Sequence, residues 1–125
     1  MSEKSKIGVI EWRDLTVDNA EQVKDFYSKV VGWDTSALSM GDYDDYCVNL
    51  PGTDETIAGI CHARGGNTKI PAQWLMYVRV ASFEDSVKQC IDLGGTVIDG
   101  PRKQFGGDFC VIQDPAGAIL ALLSD

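Results

Sequence analysis

Two stretches of this chain place groups able to bind a ligand or move a proton on one side of an extended backbone. Over Ile7–Val17 the alternation puts Trp12, Asp14 and Thr16 on a common face, and over Gln73–Val80 it does the same for Leu75, Tyr77 and Arg79. The set offers an indole for stacking, a carboxylate and a phenol that could serve as base and acid, a hydroxyl, and a guanidinium for an anionic group. Asp14 and Arg79 would form an ion pair if the two stretches face each other. Other reactive types are sparse. His62 is the single histidine, at the end of an extended run and just before a glycine-rich stretch, where a surface or hydrogen-bonded role is expected rather than ligation. Cys47, Cys61, Cys90 and Cys110 are widely spaced with no CxxC pair, which predicts reduced, small apolar side chains rather than a zinc site. No nucleophile stands at a recognisable spacing from a base, so no catalytic residue is assigned.

The elements that must hold these residues repeat. The opening strand runs into Asp18-Asn19 and Glu21, a helix N-cap with an acidic first turn, and the helix carries Ala20, Val23, Phe26, Tyr27, Val30 and Val31 at helical spacing up to Gly32. That spacing predicts one core-facing stripe. Three short extended segments follow, near Thr35–Met40, Tyr46–Leu50 and Ile57–His62, separated by turn-rich residues. Ala63–Pro71 has no periodicity and reads as a linker. The order then restarts with Gln73–Val80, a helix opened by Ser82 with Asp85 three residues on and closed by Gly94-Gly95, and strands near Thr96–Asp99, Phe109–Gln113 and Ala118–Leu123. Asp114-Pro115-Ala116-Gly117 has proline and glycine where a tight turn needs them. Val23 and Phe26 match Val87 and Cys90 at one constant spacing. The chain is thus expected to be a single α+β domain of two βαβββ modules, about 7–62 and 72–124, joined by a linker over 63–71. A module of that size leaves one apolar sheet face uncovered, so two must pack together, and a cleft between curved sheets follows.

Composition limits what the cleft can serve. With 19 acidic against 11 basic residues the formal charge is -8, a field that repels phosphate backbones and anionic lipid and argues against nucleic acid or membrane as partners. MSEKSKIGVIEW contains no basic-then-apolar leader and no apolar run is long enough to span a bilayer, so a cytoplasmic location is expected.

Trp12-Arg13-Asp14-Leu15, Val17-Asp18, Phe26-Tyr27 and Gly32-Trp33 together resemble the first-module signature of the vicinal oxygen chelate family, which joins glyoxalases, bleomycin resistance proteins and dioxygenases. Ile57-Ala58-Gly59-Ile60, Trp74-Leu75 with Tyr77, Gly94-Gly95, Gly100-Pro101 and Asp114–Ala118 resemble the second half of its glyoxalase-like branch. The resemblance implies a curved mixed sheet around a shared cavity, and in metal-dependent members four ligands, one from the first and one from the last strand of each module. Carried onto this chain, those positions are Trp12, Gly59, Leu75 and Ala121, none of which has a donor side chain. No metal and no cofactor are therefore expected. The expected function is binding of a small molecule in a cavity lined by Trp12, Asp14, Thr16, Leu75, Tyr77 and Arg79, in a homodimer. A lyase, isomerase or dioxygenase-related enzyme and a dimeric accessory module remain as alternatives.

Overall fold

The computed structural model describes residues 6–104 and 106–125. Its elements run β1 (Ile10–Val17), α1 (Ala20–Val31), β2 (Asp34–Ser39), β3 (Asp44–Asn49), β4 (Thr56–His62), β5 (Trp74–Arg79), α2 (Phe83–Asp92), β6 (Thr96–Gln104), β7 (Gly107–Gln113) and β8 (Ile119–Ser124). The twofold β-α-β-β-β order is the predicted one, in an α+β fold, with a 3-10 turn at Gly65–Asn67 inside the linker. The described residues divide into two compact units, Arg13–Trp74 and a second in which those up to Trp12 join those from Leu75 onward. The division falls within β1, because the chain entering that strand bonds to the end of β5. Gly8 donates to the Arg79 carbonyl at 2.8 Å, and Arg79 donates back to the Val9 carbonyl at 3.1 Å.

In the unit Arg13–Trp74 the strand order is β2-β3-β4-β1, antiparallel except for the parallel pair β1 and β4. Leu15 lies opposite Ile60, and Ile60 opposite Tyr46, so these side chains share one sheet face with Val48 and Ala58. The helix α1 lays Ala20, Val23 and Tyr27 on that face and stops at Gly32, whose φ of 88° is the left-handed cap position. Two expectations fail here. Asn19 caps nothing with its side chain, which donates to the Gln22 carboxamide at 3.0 Å instead. Phe26, Val30 and Val31 are exposed, at 56, 64 and 49%. Six apolar positions cover more of a helix than one sheet can touch, and the sheet takes the stripe of Ala20, Val23 and Tyr27.

The second unit has the order β5-β8-β7-β6, with β5 and β8 parallel and the rest antiparallel. Ser82 accepts from the Asp85 amide, the expected cap, and α2 packs Phe83 and Val87 against Cys110 and Leu122. The Asp114 turn is closed by its own carboxylate, which accepts from the amides of Ala116 and Ala118 at 2.8 and 3.0 Å. Strand β6 continues to Gln104, past its predicted end at Asp99, through register shifts on both sides of that aspartate. Gly100 makes this possible: at φ 86° a Cβ there would sit 2.8 Å from the Phe109 carbonyl oxygen. Among the described residues no helix is long and apolar enough to cross a membrane.

The burial pattern predicts that Ile60→Ala, at a site with 0% exposure, lowers the unfolding free energy by about 2–5 kcal/mol. Phe26→Ala should change it by no more than about 1 kcal/mol. Urea denaturation of both variants checks the order, and a larger loss at Phe26 would contradict the helix orientation.

Candidate functional site

Each sheet has a face turned away from its helix, and the two faces differ in chemistry. In the unit Arg13–Trp74 the register sets Asp14 beside Gly59, Gly59 beside Cys47, and Thr16 beside Cys61. These residues alternate with the helix-facing Leu15, Val48 and Ile60, so they form the opposite wall. Asp14 and Thr16 are 6% and 3% exposed. Asp45 extends this polar wall. Its Oδ1 accepts from the His62 amide at 2.8 Å and lies 3.5 Å from the His62 imidazole Nδ1, and it also bonds the Cys61 thiol. The imidazole is further enclosed by the rings of Tyr43 and Tyr46, at 5.5 and 6.2 Å, and its buried Nδ1 meets no hydrogen-bond partner among the described residues. Burial first, and then the charges of Asp14 and Asp45, push the Cys61 thiol from 9.0 up to about 12. It is a neutral donor at physiological pH and no nucleophile.

The wall of the second unit is apolar and aromatic. Tyr77 lies beside Ala121 and Ala121 beside Val111, while Arg79 lies beside Leu123, Leu123 beside Phe109, and Phe109 beside Arg102. Cys110 and Leu122, one residue out of phase, face α2. Leu75, Tyr77 and Phe109 are almost wholly buried, and the rings of Tyr77 and Phe109 stack at 5.7 Å and 20°. At one edge, Glu11, Trp12, Tyr77 and Leu123 line a cavity of about 160 Å³. Beside it Glu11 grips Arg79 with both oxygens, at 2.5 Å to Nε and 3.0 Å to Nη2, and Asp125 takes Nη1 at 2.7 Å. The hydrogen bonds that Arg79 donates to Glu11 lead the effects that raise the arginine pKa further, so the cation is permanent.

Of the six side chains singled out from the sequence, Trp12 and Tyr77 meet at this cavity and Arg79 stands next to it through Glu11. Leu75 is packed on the same wall. Asp14 and Thr16 belong to the polar wall of the other unit. The counter-charges that hold the Arg79 guanidinium are Glu11 and Asp125, where alternation had nominated Asp14. Strict alternation assigns Glu11 to the face opposite Trp12, yet both line one cavity. Phe109, Arg102 and Asp99 also went unnoticed: pairing across β6 and β7 brings them to the wall, and no local pattern announces it.

Residues 6–122 match the family model of the Glyoxalase/Bleomycin resistance protein/Dioxygenase superfamily. The chain belongs to this family. Among curated proteins it is 28% identical over 120 residues to CFP32 of Mycobacterium tuberculosis (strain CDC 1551 / Oshkosh), whose name provisionally designates it a glyoxylase, and equally so to its Mycobacterium bovis counterpart. The match takes in 95% of this chain but 45% of the relative, so the chain spans less than half the length of those proteins. Among solved structures, methylmalonyl-CoA epimerase from Mycobacterium tuberculosis shares the fold with a TM-score of 0.54 and 13% identity, over 99% of this chain and 92% of that one. A superfamily member from Vibrio splendidus 12B01 does so with a TM-score of 0.51 and 12% identity, over 91% and 97%.

Family membership raises the question of a metal, and the donor set answers it for the family positions. The observed register places Gly59 next to Asp14 and Ala121 next to Tyr77 on the two walls, the last-strand positions counted from the sequence. Neither they nor Trp12 and Leu75 offer an oxygen, sulfur or imidazole donor, so these residues do not fit a metal of the family type.

Because the folded state holds the Cys61 proton more tightly than the unfolded chain, its contribution to stability is complete below pH 9.0 and is lost as pH rises toward about 12. Burial gives Cys110 the same sign and the same endpoint. Denaturation series at pH 8 and pH 10.5 should show lower stability at the alkaline end, and Cys61→Ala should reduce the difference. A rise in stability on alkalinisation would contradict the buried, neutral thiol.

Proposed function

We propose that this protein binds a small, largely apolar planar molecule on the sheet wall that carries Trp12, Tyr77 and Leu123, without a metal of the family type. The observation that carries the reading is the replacement of donors by an indole, a glycine, a leucine and an alanine at Trp12, Gly59, Leu75 and Ala121, beside a cavity lined by aromatic and aliphatic groups. A space of about 160 Å³ is of the size that takes up a single aromatic ring, an apolar cavity of about 150 Å³ being enough for benzene. The Glu11–Arg79 pair at its rim supplies the small number of fixed polar groups that orient a ligand in an otherwise apolar site. Leu75 backs the same wall.

Two measurements test this. Elemental analysis of protein dialysed against Ni, Zn, Mn and Fe salts should show no stoichiometric retention. A thermal-shift screen over single-ring and fused-ring aromatic compounds should yield ligands that stabilise the protein, by about 2.7 kcal/mol at a hundredfold excess over Kd, with the effect lost in Trp12→Ala. Tightly held metal, or a screen that moves nothing, would overturn the reading.

A further inference from the structure

The aromatic wall ends in a polar pair whose hydrogen bonding is incomplete. Asp99 and Arg102 lie opposite Val111 and Phe109, on the wall and away from α2. The Asp99 carboxylate is 6% exposed. Its Oδ1 accepts from Arg102 Nη1 at 2.6 Å, Arg102 Nε donates to Gln104 Oε1 at 2.9 Å, and the guanidinium lies 4.9 Å over the Phe109 ring. Asp99 Oδ2 and Arg102 Nη2 are both buried, and neither meets a hydrogen-bond partner among the described residues. An unmet acceptor on the carboxylate and an unmet donor on the guanidinium of one ion pair, both buried, are each costly to leave so. A partner that satisfies both must present a donor to Asp99 and an acceptor to Arg102.

We propose that Asp99 and Arg102 form the head-group site of this wall, selecting ligands with a neutral group that accepts and donates side by side, such as a primary amide or a lactam. The inference rests on the reading that the wall binds a small planar molecule, and it adds which polar group that molecule carries. A carboxylate offers two acceptors and meets repulsion at Asp99, so it is rejected; an ester or ether lacks the donor. Phe109 joins the pair to the rest of the wall, with Arg102 over its ring and Tyr77 stacked on it.

Benzamide and benzoate are the probes, nearly identical in shape and opposite in what they present to Asp99. Both are titrated into the whole protein by two-dimensional NMR, following the Arg102 side-chain Nε–H, the Asp99 amide and the Trp12 indole N–H. The expected result is benzamide bound at least about tenfold more tightly than benzoate, the scale of one charge-assisted hydrogen bond gained or lost. Asp99→Asn keeps the acceptor for Arg102 and turns the free oxygen into a donor, so the preference should reverse in favour of benzoate. If that variant does not fold, Arg102→Lys removes Nη2 while keeping the charge, and should weaken benzamide to the level of benzoate. Equal binding of the two probes, or a preference unchanged in both variants, overturns the head-group site while leaving the wall a ligand site. Titrations that move no resonance with either probe overturn the head-group site and count against the binding reading as well.

Discussion

A four-stranded sheet has two faces, and each unit of this protein supplies a single helix to cover one of them. That shortage governs the rest. Alternation along every strand sends half of its side chains to the helix and half to the other wall. The helix-facing half is what such a face has to be, with Leu15, Val48 and Ile60 in one unit and Cys110 and Leu122 in the other. The other half is released from that requirement. It is where the two modules, alike in order of elements, become unlike in chemistry.

In the first unit the released wall carries Asp14, Thr16, Asp45, Cys47 and Cys61. A buried carboxylate is tolerable there because it is bonded, as Asp45 is to the backbone of His62 and to the Cys61 thiol. The cost falls on the thiol, which stays protonated. In the second unit the wall is Leu75, Tyr77, Phe109, Val111 and Ala121, and charge appears only at its ends. One end is closed, with Arg79 held by two carboxylates. The other, at Asp99 and Arg102, is left with unmet hydrogen-bonding groups. On the proposed reading, such a wall would hold a flat molecule by its faces and choose it by its polar end.

The order of elements, the Ser82 cap, the Gly32 stop and the Asp114 turn were all legible in the chain, because each depends on residues within a few positions of one another. The strand pairs themselves lie beyond local pattern: Gly59 stands beside Asp14 and Ala121 beside Tyr77. Failures came where a second element had to decide. Helical spacing cannot say which of two neighbouring apolar stripes meets the sheet, and the sheet took Val23 and Tyr27 while Phe26 and Val30 stayed outside. Strand β6 outran its prediction because Gly100 fits against the Phe109 carbonyl, a contact between distant residues.

By itself, then, the sequence determined the doubled βαβββ plan and the caps and turns that bound its elements. These follow from local periodicity and residue type. Only the tertiary structure decided which charges pair, since an ion pair is set by distance across strands and not by spacing along the chain. It joined Glu11 and Asp125 to Arg79 and brought Arg102 over Phe109 next to Asp99, leaving there a buried donor and acceptor that no reading of alternation could have foreseen.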